Sequence, residues 1–540
     1  MRGESVTRAS RGPLLVAAGL ALLAAIVFLP SAFSALHADD WVLRRTVSSF
    51  ESLSWAFTRN DLGQTNDSGH FYRPVWVLYN VGIFKVFGFE PAAYHVLNVI
   101  LYAATTVGVW ALIRALLGSG AALIGAVAFA VYPRHGESVS WISGNTDVLA
   151  TALLLPAVLV LLTRWPLWVR LSLAFVLGGF AALSKESIYA MPALAAIIVW
   201  AARDDPARAG IRRYLTGGRE AVLVAVVTLA AVLPIFFARQ SVIGTAGGYE
   251  DVPDGAGRIV TALGSQLVAA LTPPQFEVLR HRWLLVVPVV VVVLLVWQLI
   301  ALVRRGEHRR VRVALAGLAW FVLSLAPAAR LAVDLNTSNG ERFLYLGSVG
   351  LAVSFAALVG PELRSWRRPV AGAFVLAGLA LSLWSASNWI AAGKMAQRLV
   401  DETAELAEGA NQVVLLSVPE NLRTAHVHLG FSLRFAVEDD HRPDLQVNIC
   451  APVHVTSVED DAVSFVQTEA GFEGVAVGGS SFDFPVRRTP DARAFCNYQR
   501  PDGAVSRWGT ENEVLVQPSQ AAPVVALVYF DGRKLVRCCG

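Results

Sequence analysis

Chemistry-bearing residues recur along the first 350 positions in short clusters, each beside a long apolar stretch. His37, Asp39 and Asp40 come first, then Tyr72-Arg73-Pro74, then His95 and Asn98 about one helical turn apart. His135, Glu137 and Trp141 follow, then Ser184-Lys185-Glu186, Arg239 with Gly247-Gly248-Tyr249, and Glu341-Arg342 with Tyr345. A carboxylate can take a proton from a hydroxyl as that hydroxyl attacks. Arg grips a phosphate bidentately, whereas Lys meets it as a point charge. If these clusters converge, they suit a substrate with a charged phosphate at the membrane surface and a tail in the bilayer.

Each cluster also has an ordinary reading. Lys185 and Arg342 could be snorkelling cations. Lys185–Glu186 and Glu341–Arg342 could be surface ion pairs contributing about 0–1 kcal/mol. Tyr72, Trp141 and Tyr249 could belong to an interfacial aromatic belt. His135 could be a hydrogen-bonded loop histidine, and Asp39-Asp40 an acidic helix cap. Singly, none of them decides a function; their concentration at the mouths of apolar segments gives them weight, because ionisable groups in a membrane are costly and tend to be functional.

The elements that would position them are membrane spans. Mean hydropathy is +0.52 and only 16% of residues are charged, against about 25% in a soluble protein. A span needs about 20 apolar residues, and about eleven segments qualify: 13–36, 92–113, 119–133, 147–163, 168–183, 188–202, 220–238, 283–303, 313–329, 343–360 and 369–391. The first is too long for a signal-peptide core and is expected to stay attached. Alternate connecting segments, taken as inner, hold 19 Arg or Lys in 61 residues; the others hold 13 in 129. That asymmetry puts the N-terminus inside and every cluster above outside. An odd number of spans leaves the tail outside as well.

The tail, residues 393–540, differs in character. Alternating runs at Val413–Val418, Val427–Phe435, Leu445–Val455 and Val524–Phe530, separated by Gly, Pro and Asp, predict a small β-rich extracytoplasmic domain. All four cysteines lie here, which suits a disulfide in an oxidising compartment, with Cys450–Cys496 the expected pair. Asn66-Asp67-Ser68 and Asn336-Thr337-Ser338 fit the short glycosylation pattern. A net charge of +4 gives no sign of nucleic-acid binding, and no phosphate-cradling GxxxxGK[ST] loop or GxGxxG turn supports nucleotide binding. An Arg-dominated, Ala-, Val- and Gly-rich chain is the composition of a GC-rich bacterial genome, so an inner (plasma) membrane location is expected.

The ordered motifs resemble those of the GT-C superfamily of multispanning glycosyltransferases. They are most similar to the transmembrane O-mannosyltransferase group that usually carries tetratricopeptide repeats, and to its bacterial relatives. The matching stretches are Asp39-Asp40, Tyr72-Arg73-Pro74, Tyr94-His95 with Asn98, Pro133–Asp147 (PRHGESVSWISGNTD), Leu183–Glu186, Gly247-Gly248-Tyr249 and Glu341–Gly350 (ERFLYLGSVG). The chain departs from the family pattern at Tyr132-Pro133-Arg134-His135, at Asn145 where Arg is expected, and at Gly347 where Pro is expected. No tetratricopeptide repeats follow residue 392.

The resemblance implies an all-α polytopic bundle over 1–392 and a separate domain over 393–540. It also implies inverting transfer of a sugar, mannose among the candidates, from a polyprenyl-phosphate donor to a hydroxyl of a protein or glycan. Asp39 with Asp40 would be the base, and Lys185, Arg239 and Arg342 would hold the donor phosphate. Tyr72, Arg73, His95, His135, Glu137, Glu186, Tyr249, Glu341 and Tyr345 would position substrate. Glu137 and His135 could orient the acceptor or hold a divalent metal, although two ligands make a poor metal site. The competing functions are a flippase or transporter, for which no inverted repeat is found, and a non-catalytic scaffold for the tail.

Overall fold

The computed structural model describes residues 4–59, 71–203, 217–244, 255–274, 282–335, 337, 339–360, 367–428, 432–456, 462–482, 496–499, 513–518 and 525–538. Tyr249, Asn66-Asp67-Ser68, Asn336 and Ser338 lie outside the described residues.

The helices in order are α1 (Glu4–Phe28), α2 (Asp40–Ser48), α3 (Leu53–Thr58), α4 (Pro74–Phe87), α5 (Pro91–Leu117), α6 (Ser119–Ala130), α7 (Gly136–Ser140), α8 (Thr146–Leu161), α9 (Leu167–Ala182) and α10 (Met191–Ala202). After these come α11 (Gly218–Ile243), α12 (Ala256–Leu271), α13 (Val286–Arg304), α14 (His308–Leu325), α15 (Tyr345–Val359), α16 (Arg367–Leu406) and α17 (Ser432–Asp440). Among the described residues, eight helical segments are long and apolar enough to cross a membrane; Ser119–Ala130, Leu167–Ala182 and Glu186–Ala202 are shorter apolar helices. Together these correspond to the eleven expected spans. Two further apolar helices, α4 and α12, occupy stretches read from the sequence as outer loops. At 14 and 16 residues they are shorter than the about 20 residues a span needs.

The bundle is held by close small-residue crossings. A Cβ on Gly350 would meet the Phe321 amide nitrogen at 2.7 Å and Trp320 Cβ at 2.9 Å, so α15 and α14 approach backbone to backbone. Without a hydrophobic drive between helices in lipid, such close contact is a main source of their attraction. Gly347 lies on the same face, where a Cβ would meet Phe321 Cδ2 at 2.8 Å and Ser324 Oγ at 2.9 Å.

Residue 393 lies inside α16, which runs on 14 positions past Ala392 to Leu406 before the tail begins at β1. The tail contains β1 (Gln412–Leu422), β2 (Ala425–His426), β3 (Gln446–Val455), β4 (Ala462–Thr468), β5 (Gly471–Val477), β6 (Ser481–Phe482), β7 (Cys496–Gln499), β8 (Glu513–Pro518), β9 (Val525–Phe530) and β10 (Leu535–Arg537). One sheet has the order β10-β9-β1-β3-β6, with β1 parallel to both β3 and β9; a second is β4-β5-β8-β7. Central β1 is buried continuously from Val413 to Val418, as a parallel strand covered on both faces must be. The expected strand at Val427–Phe435 is a different element: Ser432–Asp440 is helix α17, burying Leu433, Phe435, Ala436 and Val437. Those apolar residues sit at helical spacing, and a parallel β1–β3 pair needs a crossover connection, which α17 supplies.

Cys450 and Cys538 are both disulfide-bonded; the side chain of Cys496 lies outside the described residues.

The tail is not a loosely tethered unit. Its apolar core is continuous with the first loop and with α16: Trp41, Val42, Trp76, Trp389, Met395, Leu399 and Val400 cluster with Val413, Leu415, Leu433 and Val453.

Candidate active site

Asp39 and Asp40 are neighbours in sequence but differ in what they do. Asp40, fully buried, accepts hydrogen bonds from Ser143 N (2.9 Å), Ser143 Oγ (2.8 Å) and His37 N (3.3 Å). It ties the first loop to the segment before α8. Burial pushes its carboxyl up to about 7 against the pull of those donors. Asp39 is half-buried, and its Oδ1 has no hydrogen-bond partner among the described residues. Burial raises its carboxyl to about 6, opposed by the charges of Arg342 and His426. Ala38 just before it has φ +50, a left-handed backbone that its Cβ disfavours.

Around this carboxylate most of the remaining charges fall into ion pairs. Arg342 bonds Glu137 through a guanidinium nitrogen and donates its backbone N–H to Glu137 Oε2 at 2.8 Å. Its guanidinium lies 5.1 Å from the ring centres of both Trp141 and Phe343. Although burial alone would raise Glu137, Arg342 and His426 hold it down at about 2. Lys185 bonds Asp147 (2.5 Å) and Thr146 Oγ1 (3.2 Å), with both charged side chains nearly sealed from solvent. Arg73 grips Glu186 bidentately at 2.7 and 3.0 Å. Arg134 meets Glu341 at 3.5 Å, fully buried, and also donates to the Thr272 carbonyl.

These pairs form one field rather than isolated contacts. The Arg342 charge acts on Asp39 and Asp147 as well as Glu137, and Glu186 feels Lys185 and Arg239 as well as Arg73. Arg239 is buried near Glu186 and Tyr189, yet has no hydrogen bond or ion pair among the described residues, and its Nε is unpartnered. The field therefore holds a carboxylate whose buried Oδ1 lacks a hydrogen-bond partner and a cation that lacks a carboxylate partner, both among the described residues.

The other expected positioning residues divide by their partners. His135 is committed on both ring nitrogens, to Tyr102 Oη (3.0 Å) and Ser348 Oγ (2.8 Å), and burial holds it down at about 3. Tyr345 packs against its ring at 4.8 Å between centres. His95 is fully buried, and among the described residues neither ring nitrogen has a hydrogen-bond partner. Tyr72, mostly buried, is raised by that burial. Among the described residues no group of three or more His, Cys, Asp or Glu is arranged to hold a metal ion.

Five members of the site escaped the sequence reading. Asp147 closes the quoted Pro133–Asp147 stretch and Arg134 sits at one of the noted departures, so both were in view without a role. Asn145, at another departure, accepts from Trp76 Nε1 (2.5 Å) and donates to Asn98 Oδ1 (2.9 Å), bridging α4 and α5. His426 and Trp389 lie far along the chain with no local signal. Trp389 packs beside Trp141 at 6.3 Å, and His426 meets both rings.

Residues 74–237 match the sequence model of the dolichyl-phosphate-mannose-protein mannosyltransferase family. The expected resemblance stands. The matched stretch contains His95, His135, Glu137, Lys185 and Glu186, and ends before Arg239. Protein O-mannosyl-transferase TMTC1 of Mus musculus is 35% identical over 133 residues, which is 23% of this chain and 14% of that protein. Tmtc1 of Drosophila melanogaster is 32% identical over 184 residues, 32% of this chain and 21% of that protein. The match thus spans between about a seventh and a fifth of these relatives' lengths. Among solved structures, ArnT from Cupriavidus metallidurans is 14% identical with a TM-score of 0.45, covering 82% of this chain and 86% of that one. The archaeal oligosaccharyltransferase AglB from Archaeoglobus fulgidus is 14% identical with a TM-score of 0.46, covering 87% and 75%. At such scores neither likeness assigns a residue or a function.

Proposed function

We propose that this chain transfers a sugar, with inversion, from a polyprenyl-phosphate donor to a hydroxyl on a protein or glycan acceptor, at the extracytoplasmic face of a bacterial plasma membrane. The observation that carries this reading is Asp39: a carboxylate whose buried Oδ1 has no hydrogen-bond partner among the described residues, raised to about 6, at the edge of a field of paired charges. A base with such a value is ionised near neutral pH while keeping appreciable proton affinity, which suits general-base work.

In the proposed step Asp39 takes the acceptor's hydroxyl proton as that oxygen bonds to the sugar's anomeric carbon. The bond from that carbon to the phosphate oxygen breaks, and polyprenyl phosphate leaves. Phosphate is a good leaving group and needs no second carboxylic acid, unlike the leaving alcohol of a glycoside hydrolase. It needs cations at the developing charge. Arg239 carries no carboxylate partner among the described residues, so it is the proposed phosphate anchor, with Arg342 and Lys185 supplying field from within their pairs. Glu186 with Arg73, and Glu137 with Arg342, position the site. Asp40 holds the loop that carries Asp39. The family whose pattern covers 74–237 is named for a dolichyl-phosphate-mannose donor and a protein acceptor, which makes mannose the first sugar to try.

The test uses membranes carrying wild type or Asp39→Asn, given radiolabelled polyprenyl-phosphate mannose, glucose or arabinose. Label should leave the lipid fraction only with wild type, a loss of about 10²-fold or more in the variant. Wild-type turnover by a normally inserted Asp39→Asn protein removes Asp39 as base. Arg239→Ala should raise the donor KM; unchanged donor kinetics takes Arg239 out of the phosphate site.

A further inference from the structure

The tail's β1–β2 hairpin reaches the site from a part of the chain nearly 300 residues beyond Glu137. It turns through only Arg423 and Thr424, with Asn421 paired to His426 and Leu422 to Ala425. Arg423 takes φ +54 at the turn, the positive φ that tight two-residue hairpins demand. The turn is docked on α16: Arg423 donates to Asn388 Oδ1 at 3.2 Å, and Thr424 Oγ1 accepts from Asn388 Nδ2 at 3.3 Å. Residues 426 and 427 are thereby held in two places at once. His426 engages Asn421 through Nδ1 (2.7 Å) and presents Nε2 to Glu137 Oε1 at 3.4 Å, its ring packed edge-on against both Trp141 and Trp389. The Val427 carbonyl accepts the N–H of Ala38, the left-handed residue preceding Asp39, at 2.9 Å.

Further contacts fix the same loop. Arg44 pairs with Asp440, and Arg45 with Glu438 and Asp439, while the Arg45 guanidinium lies 4.2 Å over the Phe435 ring. Trp41 stacks on His428 at 5.6 Å. Both carboxylates that flank Arg342, Asp39 and Glu137, are thus located by one hairpin from the tail.

We propose, on the footing of the transferase reading, that the tail is part of the active site: His426 is a positioning residue for the Glu137–Arg342 pair, and the hairpin sets the placement of Asp39. Without it the Ala38 N–H loses its acceptor, the strained backbone before Asp39 relaxes, and Glu137 loses its contact with His426 Nε2. A misplacement of about 1 Å in a catalytic group costs on the order of 10²-fold in rate.

The experiment measures kcat, donor KM and the pH profile for the full-length chain carrying His426→Ala or His426→Gln, beside Asp39→Asn and wild type. His426→Ala should lower kcat about 10–100-fold with the donor KM changed less than about threefold and thermal unfolding near that of wild type. His426→Gln keeps a donor for Glu137 and should recover part of the loss. A second variant avoids the site: Arg44→Asp loosens the dock and should lower kcat, and Asp440→Arg in the same chain should restore it. If the wild type works and His426→Ala, His426→Gln and Arg44→Asp all match it, this inference falls alone. If donor KM rises in step with the fall in kcat/KM while kcat holds, the hairpin binds donor instead and the positioning role is overturned. If the wild type discharges no donor, the transferase reading falls and takes this inference with it.

Discussion

At the scale of single residues, the separation of Asp39 from Asp40 is the main result. A doublet of carboxylates reads as one feature in a sequence, but Asp40 accepts three hydrogen bonds while Asp39 Oδ1 has none among the described residues. Its titration gives a testable profile. Burial raises Asp39 to about 6 and the Arg342 charge holds it lower than burial alone would. Only the ionised carboxylate can act as base, so kcat/KM should rise with pH through about 6 and then level. Removing the cation by Arg342→Gln should move that rise to higher pH, so the variant loses more activity at pH 6 than at pH 8. A pH–rate profile on solubilised protein reads both, and an unmoved limb separates Arg342 from Asp39. A second residue-scale prediction concerns Gly136. A Cβ there would overlap Ser385 Oγ and meet Trp389 Nε1 at 3.0 Å and Glu341 Oε1 at 3.3 Å. Gly136→Ala should therefore destabilise by about 1–3 kcal/mol, as overpacking does. A thermal-unfolding midpoint equal to that of wild type would show that α16 gives way at no cost.

At the scale of elements, helix ends converge so that ion pairs bridge different helices. Lys185 follows α9 and Asp147 begins α8; the pair joins two spans in a setting nearly closed to water. Breaking a buried pair leaves an uncompensated charge, so Lys185→Met or Asp147→Asn alone should cost about 3–5 kcal/mol. The double substitution should cost clearly less than the sum, and a double-mutant cycle on unfolding in detergent measures the difference. Strictly additive losses would mean that each side chain is held by other partners. Arg73–Glu186 joins the start of α4 to the segment before α10 by the same logic, but it is more open to solvent and should contribute less.

At the scale of the whole molecule, the tail and the membrane region share one apolar core through α2 and α16. Loss of tail structure should therefore disturb the first loop. Cys450 and Cys538 are disulfide-bonded. Reduction should cost about 2–5 kcal/mol of tail stability, as removing native disulfides from small extracellular domains does. With it should come faster protease cleavage between residues 37 and 59. Matched digestion with and without reductant tests this. A first loop that stays equally protected would mean that the shared core holds without the disulfides.

Composition and apolar run length determined the membrane class, and all eleven expected spans have helices in the structure, because burying backbone polar groups in lipid leaves a segment few alternatives to a helix. The residue clusters at span mouths were equally plain, since charges beside apolar runs are conspicuous. The sequence could not divide labour within those clusters: which of two adjacent aspartates is open, or that Glu137 pairs with Arg342 rather than binding alone. Those outcomes depend on side-chain partners more than 100 residues apart. The strand expected at Val427–Phe435 overlaps the start of α17 because that short apolar run fits either period, and only the parallel β1–β3 pairing requires a crossover there. His426 carries no local mark at all. Its place beside Glu137 follows from the sheet register, a two-residue turn and the docking of that turn on α16, which tertiary structure alone decides.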